Sequence, residues 1–309
     1  MVARTALHDK HSAARNRIGD VDKGWRFAMP AIVTLAIVDG FPLIFALIAS
    51  FQRYYLSGAD KSHPFVGFTN YSSFVSDPAF TNALVNTIYI ALAVVGIELL
   101  VGFLIAYLLA LPDLGFRGLY LSVFLIPLLL SPVVVGLTWR LILHPDLGIL
   151  NYLLGLISVS KVAWLGGPKT ALASIIAVDV WHETSLVVLI LYAGIRALPI
   201  EPQEAAAVDG AGPITILLRI VLPLMRPIIL VAFLIRFISA IKTYDLVYIM
   251  TKGGPGTSTE TLSYLIWRTG LAGPLDIGAA AAGSILLVIV VAGLSWVLLK
   301  ATEQAETYY

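Results

Sequence analysis

Asp179, His182, Glu183 and Leu186 stand at i, i+3, i+4 and i+7 within a stretch that is otherwise mostly apolar, so a helix through them carries all four on one face. Arg236, Ser239, Ala240 and Thr243 repeat that spacing in a second apolar stretch. The chemistry these faces offer is hydrogen bonding and ion pairing: carboxylates accept, a guanidinium donates in a fixed fork, hydroxyls and an imidazole do both. If the faces oppose one another, Arg236 pairs with Glu183 or Asp179. Hydrolysis would need more. No Ser, Cys or metal constellation accompanies Asp179, His182 and Glu183, and no second histidine sits at ligand spacing from His182, so neither a catalytic residue nor a metal site is expected. A proton relay through Asp179 and Glu183, as in an ion-coupled secondary transporter, stays open at this point.

These charges sit where charge is costly. An ionisable group at mid-span costs about 2.5–3.5 kcal/mol on insertion scales unless it is paired or wet. The stretches around them are spans by composition: 59% of the 309 residues are hydrophobic and 13% charged, with a mean hydropathy of +0.89. Soluble domains carry about 25% charged residues. Six apolar runs are each long enough for one crossing: Phe27–Phe51, Ala83–Leu111, Leu119–Leu143, Thr170–Ile195, Ile228–Met250 and Ile277–Leu299. Asp39 and Glu98 fall inside such runs and are expected to face protein or water, while Arg140, Asp146, Lys242 and Asp245 are expected near the outer interface, where long side chains snorkel. An all-α membrane protein of six transmembrane helices follows. The net charge of +1 and the lack of a basic, aromatic-laced stripe exclude nucleic acid as a partner; the surroundings are membrane lipid. There is no cysteine, hence no disulfide or thiol chemistry. No cleavable signal is expected, because residues 1–26 are polar and the first apolar run is long enough to stay in the bilayer.

Basic residues near the spans set orientation. With the N terminus inside, Arg4, Lys10, Arg15, Arg17, Lys23, Arg26, Arg117, Arg196, Arg219, Arg226 and Lys300 collect in the cytoplasm, against Arg53, Lys61, Lys161, Lys169, Lys252 and Arg268 outside. Both termini are therefore expected in the cytoplasm: segment 1–26, a membrane domain over 27–300, and a tail over 301–309.

That orientation places segment 199–227 inside. Pro202 suits a first helical turn, Glu204 suits the positive end of the helix, and Ala205, Ala206 and Ala207 favour helix with little bulk. Gly210 and Gly212 then break the helix and allow positive φ. A second helix, about Ile214–Leu222, is expected to end before Pro223.

Glu204-Ala205-Ala206, Asp209-Gly210-Ala211 and then Ile220, Leu222 and Pro223 resemble the EAA loop of ABC importer permeases, whose coupling helix docks in a groove of the ATPase subunit. The resemblance extends over most of the chain and is to the carbohydrate-type permeases, within them to the maltose-permease F-like group. Asn82-Ala83-Leu84 with Asn86-Thr87, the stretch Ser131 to Asn151 with its Trp-Arg and Gly-x-x-Asn, Asp179-Val180-Trp181, and Thr251-Lys252-Gly253-Gly254-Pro255 followed by Thr259-Glu260-Thr261 each match a motif of that group. One departure stands out: where the group has Thr-Pro after the tryptophan, the chain reads His182-Glu183-Thr184-Ser185, so an expected kink is missing.

The resemblance implies an ABC type I importer permease fold with a cytoplasmic coupling helix, located in the cell membrane. It implies three kinds of partner: a second homologous permease, a dimer of ABC ATPases that binds the ATP and Mg, and an extracytoplasmic solute-binding lipoprotein. This chain would hold no cofactor, in line with its lack of a GxxxxGK[ST] phosphate loop. The two polar faces coincide with the positions that line the solute site in the resembled permeases, where they would hydrogen-bond the hydroxyls of a carbohydrate or polyol. A phosphorylated glycerol derivative, favoured by a basic Arg236, is the alternative solute. The same charges could instead hold helices together or meet the sister permease. Trp139 and Trp181 suit packing or the interface as well as sugar stacking.

Overall fold

The computed structural model describes Trp25 and residues 27–57, 62–111 and 114–306. The rest of the expected N-terminal segment 1–26, together with Lys61, Pro112 and residues 307–309, lies outside the described residues.

The described chain is mostly helical. Helix α1 (Phe27–Ser50) leads through two isolated bridges, Gln52 with Phe65 and Tyr55 with Asp276, to α2 (Thr69–Ser76). Helix α3 (Pro78–Ala110) starts where Asp77 accepts from the Ala79 N–H at 2.8 Å, with Pro78 at the first helical position, whose missing N–H costs nothing there. It ends at Leu111, where the backbone turns extended. Then follow α4 (Arg117–Leu125), a 3-10 turn (Pro127–Leu129), α5 (Pro132–Ile142) and α6 (Ile149–Leu156). Helix α7 (Pro168–Ala197) runs unbroken through His182-Glu183-Thr184-Ser185, as the missing proline leads one to expect. Helices α8 (Glu201–Val208), α9 (Pro213–Leu224), α10 (Arg226–Ile241), α11 (Asp245–Met250), α12 (Leu262–Trp267) and α13 (Ile277–Glu306) complete the order.

Among the described residues four helices are long and apolar enough to cross a membrane: α1, α3, α7 and the Ile277–Val297 part of α13. Helices α9 and α10 make a fifth candidate, bent by 65°. Two of the six expected runs are not single helices. Leu119–Leu143 is broken at Pro127 and Pro132, which cannot donate into a helical ladder. Ile228–Met250 is broken at Lys242–Tyr244 without a proline or glycine. The second helix of the 199–227 segment also differs from expectation. It passes Pro223 and stops at Met225, because a π turn over Leu217–Val221 widens the backbone, with the Leu222 N–H reaching the Leu217 carbonyl.

Helices α3, α7 and α10 form the centre. Gly102 of α3 lies so close to α7 that a Cβ would stand 2.7 Å from Val187 Cγ1. Gly194 plays the same part where α7 meets α9 and α10, beside Ile228 and Met225. Ala106, Val187, Leu191, Val221, Met225 and Ala232 fill one end of this bundle, and Ala91, Val95, Phe237, Ala240 and Ile241 join α3 to α10. The residues that carry the sequence motifs also lock to one another. The Asn82 and Asn86 amides donate to the Thr257 carbonyl at 2.7 and 3.2 Å, Asn86 donates also to the Glu260 carbonyl, and the Thr87 hydroxyl accepts from the Leu262 N–H. Asn151 ties the α5–α7 connection, accepting from Val162 N–H and Trp164 Nε1 and donating to the Pro145 and Val162 carbonyls.

Candidate functional site

At the centre of the bundle Arg236 is 1% exposed and Glu98 not exposed at all. Arg236 Nε donates to Glu98 Oε2 at 2.7 Å and Nη2 donates to Glu98 Oε1 at 2.8 Å, the parallel two-bond geometry that suits a guanidinium and a carboxylate. Nη2 also lies 3.4 Å from Asp179 Oδ1, and Nη1 lies 3.3 Å from Glu183 Oε2. Glu183 Oε1 is 3.2 Å from His182 Nδ1, and the far ring nitrogen of His182 is 3.1 Å from the Leu130 carbonyl. One network thus joins α3 through Glu98, α7 through Asp179, His182 and Glu183, and α10 through Arg236. It also reaches the broken α4–α5 segment through the Leu130 carbonyl.

The pairing of Arg236 with Asp179 and Glu183 anticipated from spacing is present. Its strongest arm, to Glu98, was not anticipated. No local pattern ties Glu98 to a residue 138 positions away; its placement inside an apolar run was the only signal.

A cavity of about 160 Å³ opens beside this network. Asp179, His182, Glu183, Arg236, Ser239 and Thr243 line it, together with Pro132 and the residues Lys242, Tyr244, Asp245 and Leu246 at the break between α10 and α11. Two members of the expected faces stand apart: Ala240 packs with Ala91 and Val95, and half-buried Leu186 is not among the lining residues. Lys242 and Asp245, expected near the outer interface, share the cavity wall. Trp139 and Trp181 pack edge to face at 5.5 Å. Among the described residues no group of three His, Cys, Asp or Glu side chains could hold a metal ion.

The 199–227 segment forms a separate feature. Helix α8 carries Glu204 and Ala205 exposed and Ala206 half-buried. It ends in a two-bond C-cap: the Gly210 N–H donates to the Ala207 carbonyl at 3.1 Å and the Ala211 N–H to the Ala206 carbonyl at 2.9 Å. That cap needs a left-handed residue, and Gly210 supplies it at φ +83°. Asp209 and Gly210 are exposed, Ile220, Leu222 and Pro223 half-buried, and Val208 is 87% exposed. Helix α8 therefore presents a short, small-residue surface to whatever covers it.

The family model for binding-protein-dependent transport system inner membrane components matches residues 98–301. The probable ABC transporter permease protein y4oQ of Sinorhizobium fredii is 36% identical over 87% of this chain and 86% of its own length. The trehalose/maltose transport system permease protein MalF of Thermococcus litoralis is 30% identical over 94% of this chain and 97% of its own. Among solved structures, a chain of a bacterial ABC transporter involved in the import of the acidic polysaccharide alginate superposes with a TM-score of 0.77 at 24% identity, over 93% of this chain and 98% of that one, which shows a shared fold. The chain belongs to the family of binding-protein-dependent transport system inner membrane components, the multi-pass membrane permease subunits of ABC importers.

Proposed function

We propose that this permease crosses the membrane six times with both termini in the cytoplasm and forms half of the pore of a type I importer for a carbohydrate or polyol. In this reading the segment from α4 to α5 and the pair α10–α11 each make a crossing, the α10–α11 break lying on the cavity and the α4–α5 segment reaching it at Pro132. A second homologous permease supplies the other half. An extracytoplasmic binding protein delivers the solute, and a dimer of ABC ATPases binds ATP and Mg.

The observation that carries the solute reading is the cavity at the junction of α7, α10 and the α10–α11 break. Asp179, Glu183, Ser239 and Thr243 supply acceptors and hydroxyls there, the set that recognises sugar hydroxyls. The coupling reading rests on α8: a short exposed helix with small residues on its surface, closed by a glycine cap, suits a groove in another protein. Closure of the ATPases on ATP would draw α8 and its counterpart together. Through α9 the motion would reach α10, opening the cavity outward; hydrolysis would reset it inward. Glu204, Ala205, Ala206, Asp209, Gly210 and Ala211 would sit in the groove, with Ile220, Leu222 and Pro223 setting the stiffness of α9.

Reconstitution of the complete complex tests this. Binding protein loaded with a neutral sugar or polyol should stimulate ATP hydrolysis and drive uptake. Uptake by the chain with no ATPase bound would contradict it.

A further inference from the structure

Resting on the reading of this cavity as the solute site, we propose that Glu98 is a positioning residue that makes the site select neutral, hydroxyl-bearing solutes over anions. A buried guanidinium with free donors is a strong site for phosphate or carboxylate. Here most of the donors face carboxylates. Glu98 holds Nε and Nη2 of Arg236 at 2.7 and 2.8 Å, Nη2 also faces Asp179 and Nη1 faces Glu183, four contacts for five N–H donors. An anion entering the cavity would have to compete with three carboxylates for Arg236.

The sign of the local charge reinforces this. Counted as formal charges, three carboxylates surround one guanidinium, an excess of two negative charges with His182 neutral and of one with His182 protonated. On the remaining wall Lys242 and Asp245 offset each other. Asp179 Oδ2 adds a positive requirement: it is buried, it belongs to a side chain only 5% exposed, and it has no hydrogen-bond partner. A solute hydroxyl can donate to it, whereas a phosphate or carboxylate oxygen cannot. Glu183, at 3.3 Å from Arg236 and 20% exposed, is the partner a hydroxyl displaces most easily, while the fully buried Glu98 keeps the guanidinium in place.

The test uses the complex of this chain with its sister permease and ATPases in detergent, probed by saturation-transfer NMR. Trehalose, glucose and glycerol serve as neutral probes and sn-glycerol 3-phosphate as the anion. The wild type should bind a neutral probe on the order of tenfold or more tightly than the anion, since one uncompensated charge in a partly desolvated site suffices for that ratio. Glu98→Gln, which removes a negative charge and loosens Arg236, should shift the ratio several-fold toward the anion, and Glu98→Asp should keep it. If Glu98→Gln fails to assemble, Glu183→Gln carries the same expected shift. Anion binding as tight as neutral binding in the wild type, no neutral binding at all, or an unchanged ratio in an assembled Glu98→Gln complex would each overturn the proposal. Thr243→Trp, which fills the cavity, separates the two levels. Equal binding of both probes that Thr243→Trp abolishes would remove the role of Glu98 and leave the solute-site reading standing. Binding that persists in Thr243→Trp would remove both.

Discussion

Arg236 and Glu98, 138 residues apart in sequence, meet as a two-bond ion pair in the middle of the helix bundle, and both are almost wholly buried. Removing one partner strands the other's charge in a medium that cannot solvate it. Glu98→Ala or Arg236→Ala should each cost about 3–5 kcal/mol. The double variant should cost less than the sum, with a coupling of about 0.5–3 kcal/mol. Thermal unfolding of the purified permease across the four-member cycle measures it, and strict additivity would mean that the pair contributes no interaction. The same cycle on Glu183 and Arg236 should give a smaller coupling, because that contact is longer and Glu183 is partly exposed.

His182 bridges Glu183 and the Leu130 carbonyl. His182→Phe keeps the bulk but leaves that carbonyl without its donor, a loss of about 1–3 kcal/mol. Hydrogen exchange should rise in the 3-10 turn over Pro127–Leu129 and its flanks more than in α3 or α13. Uniform change across the chain would argue against a local tie.

Gly148 has no room for a side chain: a Cβ would stand 2.3 Å from the Ile142 carbonyl oxygen and 2.4 Å from that of His144. Backbone atoms cannot swing aside as a side-chain tip can. Gly148→Ala should therefore destabilise by about 1–3 kcal/mol or more. Gly210 differs, since a Cβ there meets nothing within 4 Å and only its positive φ restricts it. Gly210→Val should cost roughly 1–2 kcal/mol of helix-cap stability and Gly210→Asn less, since asparagine tolerates the left-handed region. Melting temperatures of the three variants should rank accordingly.

In the loop before α12, burial holds the Glu260 carboxyl above the usual carboxylate range, with Arg268, whose Nε donates to it at 2.7 Å, opposing the shift. A carboxyl whose folded value is raised binds more protons folded than unfolded. Its contribution to stability is present below the unfolded value and is lost as pH rises through the folded one. Arg268→Gln removes the opposing charge and should steepen that loss. Melts of wild type and Arg268→Gln across the carboxylate titration range test it; parallel curves would contradict the pairing.

Much of the fold was legible in the sequence because hydropathy reports composition, and four of the six apolar runs contain long, largely continuous helices. The breaks were harder to read. Pro127 and Pro132 stand at one of them, although Leu119–Leu143 was expected as one crossing, and the interruption at Lys242–Tyr244 has no breaker residue; there the Thr243 carbonyl accepts from the Thr261 hydroxyl, a tertiary contact invisible to local pattern. The proline rule misplaced the end of α9 because a π turn can absorb Pro223. In the cavity, helical spacing brought Asp179, His182 and Glu183 together with Arg236, Ser239 and Thr243, whereas Ala240, on the same face by spacing, turned into the α3 contact because its small side chain lets α3 and α10 approach. The Asn82 and Asn86 motif and the loop around Thr257 were each visible, but not their meeting, since one sequence does not say which distant segments pair.

The chain has no cysteine, so a single introduced thiol reports without background. Val208→Cys at the exposed end of α8, assayed with a membrane-impermeant maleimide in oriented vesicles, tests the central claim most directly. The account predicts labelling only from the cytoplasmic face, with protection once the ATPase subunits are bound. Labelling from the outer face, or cytoplasmic labelling that the bound ATPases leave unchanged, would contradict it.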